Sequence, residues 1–319
     1  MRKIVVSNTG GPEELKLEVA TDPHPGADQI AVKTEVAGIN YIDVYQRKGF
    51  YKVPLPYTPG FEGAGTITAL GGNVQQLKVG QRVAWINSIG SYAEAVVIPA
   101  SQAIVLPSDL KPDQGLLFQG ITAQYLVSEY RALKPGDWVL VHSAAGGVGQ
   151  ILVQWAKHLG ATVIGTTSNA QKAERVRAMG ADHVIDYAKS DFQAEVMKLS
   201  SQRGVDLVFD AVGKDTFERS VQSLARGGTA VSYGAASGPP PKIDPPSLSA
   251  KALRVAGGSI FGFVAEPKQL QARAQAVLQG IQAGWLKMGG STSYPLAEAK
   301  RAHADIESRR TQGKLMLVM

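Results

Sequence analysis

One stretch of the chain, VLVHSAAGGVGQ at residues 139–150, constrains the fold more than any other. An apolar run typical of a buried strand leads into a glycine-rich turn, and the turn leads into a segment with helical spacing of apolar residues. This stretch begins a series, within residues 119–258, in which short strands alternate with helices. Such an alternation predicts a Rossmann-type α/β domain, with a doubly wound parallel sheet covered by helices on both faces.

The segments of this region follow one another in strict alternation. The predicted strands are WVLVHS, ATVIGTTS, DHVIDY, VDLVFDAV and GTAVSYG, and the predicted helices are VGQILVQWAKHLG, AQKAERVRAMG and DTFERSVQSLARGG, each ending at a glycine. Residues 1–118 instead contain strand-like runs between Gly- and Pro-rich turns, which predict a mainly antiparallel β domain. Residues 259–319 are expected to return to that first domain through two helices and two strands.

The composition excludes several classes of protein. With 44% apolar and 19% charged residues, the 319-residue chain is that of an ordinary two-domain globular protein. No apolar run approaches the roughly 18 residues that span a bilayer, and the start lacks the features of a signal peptide, so we expect a soluble cytoplasmic protein. The net charge of +6 is scattered along the chain, which makes nucleic acid an unlikely partner.

The glycine-rich turn predicts a site for the pyrophosphate of a dinucleotide. In this fold the pyrophosphate lies against the start of the first helix, where free N–H groups and the helix dipole meet negative charge. Glycines of this kind also occur in turns that bind nothing, and Ala144 stands where the common fingerprint has its first glycine. The strand before the turn and the helix after it favour the binding site. Its predicted residues are Ala145, Gly146, Gly147, Val148 and Gly149.

The end of the second strand predicts which dinucleotide binds. An NAD-binding domain of this type has an acidic residue about 20 residues after the turn, where it holds the ribose hydroxyls. Here no acid appears before Glu174, and Ser168 and Lys172 offer a hydroxyl and an ammonium instead. This arrangement suits a ribose 2′-phosphate and predicts NADPH, although a helix lysine is also commonly just solvated.

Seven motifs distributed over nearly the whole chain carry a resemblance to a known family. They are AGINYIDVYQRKG (37–49), PGFEGAG (59–65), GITAQYL (120–126), AAGGVGQ (144–150), GTTSNAQKA (165–173), DLVFDAVG (206–213) and QGKLMLV (312–318). With them the chain resembles the medium-chain dehydrogenases/reductases, and among these the zinc-free quinone oxidoreductases related to zeta-crystallin. The resemblance implies a GroES-like β domain beside the Rossmann domain, and NADPH-dependent hydride transfer to quinones or related conjugated carbonyls.

The same resemblance, together with the absence of cysteine, predicts that the protein binds no metal. Zinc-bearing relatives have a metal-binding Cys at the position of Asn40 and a His at the position of Phe61. The chain has no cysteine, and its five histidines are isolated in sequence. Without a Lewis acid, reduction is easier for quinones and enones, because conjugation spreads the incoming charge onto a remote oxygen.

The resemblance also implies the site residues. It places a cleft between the domains, lined by Asn40, Asp43, Tyr45 and Tyr51, with Thr122 near the nicotinamide. The tyrosines either donate a hydrogen bond or proton or only shape the pocket, and Asn40 either binds a ligand or is a turn residue. The implied cofactor residues are Ser168, Lys172 and Tyr187 around the 2′-phosphate, Tyr233 and Phe261 near adenine or nicotinamide, and Arg309 and Lys314 in a C-terminal tail.

Two other functions fit the same residues. One is a double-bond reductase for alkenals, enones or enoyl thioesters, and the other is a non-catalytic role as a crystallin-like structural or RNA-binding protein. VAGGSIF at residues 255–261 resembles the edge strand through which relatives pair, so a homodimer is expected, although a core strand has the same composition.

Overall fold

The computed structural model describes residues 1–308 and 311–319. Its strands are β1 (Arg2–Val5), β2 (Lys16–Val19), β3 (Gln29–Ile39), β4 (Glu62–Leu70), β5 (Arg82–Trp85), β6 (Ala95–Pro99), β7 (Ile104–Val105), β8 (Trp138–Val141), β9 (Thr162–Thr167), β10 (His183–Asp186), β11 (Val205–Asp210), β12 (Leu224–Ser232), β13 (Arg254–Gly257), β14 (Ser291–Pro295) and β15 (Lys314–Val318). Its α-helices are α1 (Tyr41–Arg47), α2 (Phe118–Glu129), α3 (Gly147–His158), α4 (Ala170–Ala178), α5 (Phe192–Leu199), α6 (Phe217–Gln222), α7 (Pro267–Gln282) and α8 (Ala299–Glu307).

The described chain forms two compact units. Unit 1 comprises residues 1–118, 264–274 and 290–319, and unit 2 comprises residues 119–263 and 275–289. Because α7 is divided between them, each unit is built from separate stretches of the sequence. No described helix combines the length and the apolar character that crossing a membrane requires.

Unit 2 contains a six-stranded sheet in the order β10-β9-β8-β11-β12-β13, and every pairing in it is parallel. The inner strands β8, β9 and β11 are buried on both faces, and Leu140, Ile164 and Val208 are among the fully buried residues of the core. This confirms the predicted Rossmann-type domain. The strand order runs outward in both directions from β8, so the sheet changes winding direction between β8 and β11. In such sheets, ligands bind at the carboxyl ends of the strands beside this point.

One predicted helix of unit 2 is wrong over its second half. The segment DTFERSVQSLARGG was predicted as one helix, but α6 ends at Gln222 and β12 begins at Leu224. Leu224 pairs with Val205 of β11 in the parallel sheet and is fully buried. Its apolar side chain fits helical spacing equally well, so the sheet partner, which is distant in sequence, decided the conformation.

Unit 1 has a mainly antiparallel sheet in the order β14-β15-β3-β4-β5-β7, with β6 also pairing with β3. Only the β14 and β15 pair in this order is parallel, and β1 pairs with β2 separately. This confirms the predicted GroES-like β domain. The end of β3 is enclosed by both neighbours, since Gly38 pairs with Glu62 of β4 on one side and with Met316 of β15 on the other. The chain end thereby comes beside the end of β3, where α1 begins.

Candidate active site

The glycine-rich turn of unit 2 brings helix α3 very close to strand β8. Ser143 adopts a left-handed backbone with φ of 51°, and Gly146 caps the helix with extended backbone. A Cβ at Gly149 would lie 2.3 Å from Ser143 O and 2.8 Å from Ala144 Cα, so only glycine permits this approach. The first N–H groups of α3 have no partner in a preceding helical turn, which makes the turn able to hold an anion. The five predicted residues of the turn, 145–149, all lie here.

Three residues predicted to hold a 2′-phosphate lie at the same edge of the parallel sheet. Ser168 follows the last residue of β9, and Tyr187 follows β10, where its N–H donates to Thr167 O at 3.1 Å. Lys172 is in the first turn of α4, and its N–H donates to the capping Asn169 Oδ1 at 2.9 Å. Burial lowers the pKa of the half-buried Lys172 ammonium, so a neighbouring anion would offset its desolvation.

The remaining predicted cofactor residues are spread over several elements. Thr122 is buried in α2, Tyr233 follows β12, and Phe261 lies in a short 3-10 turn. Burial raises the pKa of the Tyr233 hydroxyl, and the charge of Asp210 raises it further, so this hydroxyl stays protonated. Arg309 lies outside the described residues. Lys314 differs from its predicted place in a tail, because it is the first residue of β15 and is buried.

In unit 1 the Lys314 ammonium contacts two buried polar residues. It donates to Asn40 Oδ1 at 2.9 Å and forms an ion pair with Glu62, whose side chain is fully buried. The second Glu62 oxygen accepts from the N–H of Phe118 at 2.6 Å. A Cβ on Gly38 would lie 2.0 Å from Glu62 Oε2 and 2.8 Å from Lys314 Cε, so the ion pair needs glycine at this point of β3.

These contacts fix the orientation of the Asn40 amide. An ammonium can only donate and an ionised carboxylate can only accept, so Oδ1 faces Lys314 while Nδ2 donates to Glu62 Oε2 at 2.9 Å. Asn40 also precedes α1, and its backbone N–H donates to Asp43 Oδ2 at 2.9 Å. Since Nδ2 carries two hydrogens and Glu62 takes one, the other can be offered to a ligand.

A second set of buried residues in unit 1 forms a chain of hydrogen bonds in which each residue donates to the next. The Arg47 guanidinium, which can only donate, contacts His303 Nδ1 at 3.2 Å, so a neutral His303 carries its proton on Nε2. That nitrogen lies 3.0 Å from Tyr92 Oη, and the Tyr92 hydroxyl donates to Asp43 Oδ2 at 3.1 Å. Arg47 is itself paired with Glu307. The chain therefore runs from Arg47 to the start of α1.

Burial dominates the electrostatics of this chain. It raises the pKa of the Asp43 carboxyl to about 7, and it lowers the pKa of His303 to about 3, with the charge of Arg47 acting in the same direction. Among the described residues, the buried Asp43 Oδ1 has no hydrogen-bond partner. Burying an uncharged carboxyl there costs less free energy than burying a carboxylate. His303 is thus neutral around pH 7, and Asp43 titrates there.

The two predicted tyrosines belong to one aromatic cluster that follows Asn40 in sequence. The Tyr45 ring centroid lies 5.4 Å from that of Tyr41, 6.2 Å from that of Phe50 and 5.8 Å from that of Tyr51. Tyr51 and Phe50 are 55% and 74% exposed, an unusual state for large apolar rings. The cluster offers flat apolar surface to a ring-shaped ligand.

No group of three or more His, Cys, Asp or Glu side chains that could hold a metal ion occurs among the described residues. Four of the histidines have packing or hydrogen-bonding roles instead. His158 stacks on Trp285 with ring centroids 4.0 Å apart, and His183 stacks on Trp138. His142 and His303 are buried in hydrogen-bonded networks.

The buried charges of unit 1 have no local signal in the amino-acid sequence. Glu62 is 252 residues from Lys314, and Arg47 is 256 residues from His303, so no local pattern links them. The one local signal was the spacing of Asn40 and Asp43, which is that of a helix cap, and it would have located the start of α1.

A parallel dinucleotide-type sheet in one unit and an antiparallel β unit with the chain end beside α1 together define a medium-chain dehydrogenase/reductase. Family models agree with this: residues 26–108 match the alcohol dehydrogenase GroES-like domain, and residues 147–277 match the zinc-binding dehydrogenase model. The chain belongs to the quinone oxidoreductase family within this class, as the following relatives show.

Relatives of this chain match it over almost the full length. A quinone oxidoreductase of Pseudomonas aeruginosa is 37% identical over 322 residues, which cover 99% of both chains. A 2-haloacrylate reductase of Burkholderia is 35% identical over 330 residues, 98% of both chains. The structure of Escherichia coli quinone oxidoreductase complexed with NADPH has a TM-score of 0.96 and 36% identity, and the match covers 100% of both chains.

Proposed function

We propose that this protein is an NADPH-dependent quinone oxidoreductase that reduces quinones or related conjugated carbonyls without a metal. The observation that carries the proposal is the set of residues at the carboxyl edge of the parallel sheet. There the glycine-rich start of α3 and the half-buried Lys172 follow the neighbouring strands β8 and β9, and no acidic residue occurs between residues 143 and 173. The E. coli relative that carries NADPH supports the same cofactor.

The residues present fit NADPH. The N–H groups at the start of α3 would hold the pyrophosphate, and Ser168, Lys172 and Tyr187 would hold the 2′-phosphate. We assign Thr122, Tyr233 and Phe261 to the nicotinamide and adenine ends. When bound, the cofactor supplies the hydride. The chain itself binds and orients the two reactants and excludes water from them.

On the substrate side we propose Asn40, Tyr45 and Tyr51. The aromatic cluster around Tyr45 would hold the face of a quinone ring, and the second Nδ2 hydrogen of Asn40 would donate to a substrate or cofactor oxygen. Lys314 and Glu62 hold that amide in place. For Lys314 we therefore propose support of Asn40 rather than direct contact with the cofactor.

The chain offers a matched pair of lysines for testing the cofactor site. Lys172→Glu should raise the KM for NADPH at least about tenfold, because a charge-assisted hydrogen bond to phosphate becomes a repulsion. The KM for NADH, which lacks the 2′-phosphate, should change little. Lys198→Glu makes the same charge change on the exposed surface of α5 and should leave both values unaltered. Turnover of 1,4-benzoquinone would be followed by the loss of NADPH absorbance.

A wild-type protein that used NADH as well as NADPH would contradict the cofactor assignment. A Lys172→Glu variant with an unchanged KM for NADPH would remove the phosphate role of that lysine. Inactivity with both 1,4-benzoquinone and 9,10-phenanthrenequinone would exclude the quinone assignment while leaving NADPH binding open to measurement.

The 2-haloacrylate reductase relative favours a second candidate, the reduction of a carbon–carbon double bond conjugated to a carbonyl group. Quinones and such acids or enones accept a hydride for the same reason, since the charge spreads to oxygen. Rates measured side by side with a quinone, an enone and a 2-haloacrylate at equal NADPH would separate the candidates.

We also propose that the protein is a cytoplasmic homodimer. Strand β13 is at one end of the parallel sheet, so a second copy could continue the sheet there. Sedimentation of the wild type against a variant with proline at Val255, the centre of β13, would test the pairing.

A further inference from the structure

His142 directly follows β8 and is held between the two neighbouring strands of the parallel sheet. Its ring is almost fully buried, with Nδ1 3.0 Å from Thr166 Oγ1 in β9 and Nε2 2.9 Å from Ser220 Oγ in α6. The Ser220 hydroxyl also lies 2.8 Å from Asp210 Oδ2 at the end of β11. None of these side chains belongs to the proposed cofactor or substrate contacts.

The partners determine the direction of each bond. Asp210 can only accept while it is ionised, so the single hydroxyl proton of Ser220 is best used toward it. Ser220 Oγ then accepts from His142 Nε2–H, and His142 Nδ1 accepts from the Thr166 hydroxyl. Burial lowers the pKa of His142, and this favours the neutral ring that such a pattern needs.

Asp210 extends the network into the loops at the carboxyl edge. Its Oδ1 accepts from the N–H groups of Val212 at 2.8 Å and Gly213 at 3.0 Å, which fixes the loop after β11. That loop is bonded in turn to the loop after β12, where Ser237 N–H donates to Val212 O at 2.9 Å. The bonds form a continuous path across the ends of β9, β8, β11 and β12.

This path crosses the point where the sheet changes winding direction, between β8 and β11. It starts two residues before Ser168 and continues next to the glycine-rich turn. We propose that His142 is a positioning residue for NADPH: as a neutral ring protonated on Nε2, it sets the spacing of the strand ends that form the dinucleotide site. The inference rests on the proposed use of NADPH.

Two pairs of variants test this role. Thr166→Val removes the hydroxyl at nearly constant shape, and Thr166→Ser keeps it. Ser220→Ala breaks the bridge to Asp210, whereas Ser200→Ala removes a buried hydroxyl that makes bonds of similar length, Ser200 Oγ to Val196 O at 2.8 Å and Gly204 N–H to Ser200 Oγ at 2.9 Å. Ser200 precedes β11 and therefore lies at the opposite edge of the sheet.

We expect Thr166→Val and Ser220→Ala to raise the Kd for NADPH roughly five- to tenfold, with kcat at saturating NADPH within about twofold of wild type. Thr166→Ser and Ser200→Ala should bind NADPH like the wild type, even though Ser200→Ala loses thermal stability. Calorimetry gives Kd, and a thermal melt shows that each variant is folded. If Thr166→Val and Ser220→Ala are folded and bind NADPH as tightly as Ser200→Ala does, the inference is wrong.

A measurement on the wild type keeps the test decisive if a variant does not fold. The ¹⁵N signals of His142, assigned by comparison with His142→Gln, should show an Nε2-protonated neutral ring from mildly acidic to mildly alkaline pH. They should shift when NADPH is added. A protonated ring, the other tautomer or signals unmoved by NADPH would each overturn the inference. A wild type that binds no NADPH in calorimetry would instead contradict the proposed function.

Discussion

Each unit buries a histidine in a hydrogen-bonded network, and the two networks differ in the charged groups that they contain. In unit 1, His303 contacts the buried Arg47, which pairs with the partly exposed Glu307, and the nearby Asn40 joins Glu62 and Lys314. Around His142 in unit 2, hydroxyl groups separate the ring from a single carboxylate, that of Asp210. Burial is the first cause of the lowered pKa of both rings, and a guanidinium lowers it further in each, that of Arg47 for His303 and that of Arg219 for His142.

The two units are therefore vulnerable to different substitutions. Removing one member of a buried ion pair leaves an uncompensated charge, which costs more than the pair itself contributes. Removing the Ser220 hydroxyl costs less, because Asp210 keeps its hydrogen bonds from the N–H groups of Val212 and Gly213 and from the Thr216 hydroxyl. Unit 1 should therefore be sensitive to single charge changes and to pH, and unit 2 should tolerate its substitutions with smaller losses of stability.

The largest expected effect is that of Lys314→Met. The Glu62 carboxylate would remain fully buried without its cation, which should lower the free energy of unfolding by ~3–5 kcal/mol in urea titrations. Adding Glu62→Gln to this variant should recover part of the loss, because the buried charge is then gone. A double variant no more stable than Lys314→Met would show that the ion pair is not the cause.

The next effect concerns pH and Asp43. Its folded pKa of about 7 is above the ordinary value of 3.8, so the folded state holds the proton more tightly than the unfolded chain. This contribution to stability is complete below the unfolded pKa and is lost as the pH rises to about 7, at roughly 1.4 kcal/mol per pH unit. Asp43→Asn cannot ionise, so wild type should lose stability relative to it over this range. A constant difference between the two proteins would contradict the raised pKa.

A smaller effect is expected from Ser220→Ala in unit 2. The substitution breaks the bonds from Ser220 to His142 and Asp210 but creates no new charge, so we expect a loss of about 1–2 kcal/mol in the free energy of unfolding. A loss as large as that of Lys314→Met would end the distinction between the two networks, since it would mean that the hydroxyl network is equally critical.

The smallest loss of stability is expected for Lys157→Met in unit 2, which serves as the reference for Lys314→Met in unit 1. Lys157 forms an ion pair with Asp182 at 2.8 Å, but both side chains are 34% exposed. Lys157→Met should cost at most ~1 kcal/mol, because water replaces the lost contact and salt screens it. Equal losses for Lys157→Met and Lys314→Met would indicate that burial does not strengthen the dependence on the lysine.

The fold of unit 2 could be predicted because its signals are local. The glycine stops of its first two helices correspond to Gly160 and Gly180, both with positive φ, and the apolar strands occupy the buried sheet. The end of α6 could not be predicted, because Leu224 has the spacing of an apolar helix position. Only its pairing with Val205 in the sheet shows that it belongs to a strand. The missed helix α1 had only a cap signal and seven residues.

The candidate site was predictable only where one segment carries it. The glycine-rich turn and Lys172 follow strands that the pattern located, so their shared edge followed from the parallel topology. The partners of Asn40, Glu62 and Lys314, belong to β4 and β15. The register of these strands against β3 brings them together, although they are far apart in sequence. Lys314 was predicted to contact the cofactor from a C-terminal tail, because nothing nearby in sequence indicated Glu62 as its partner.

Gly38 has a consequence for how this sequence can evolve. A side chain there would occupy the space of the Glu62 carboxylate and of Lys314 Cε, so Gly38 cannot be substituted without changes at the other two residues. Relatives that carry a larger residue at this place are expected to have replaced the acid and the base as well. The three positions should therefore covary across an alignment of the family, as a unit inherited or lost together.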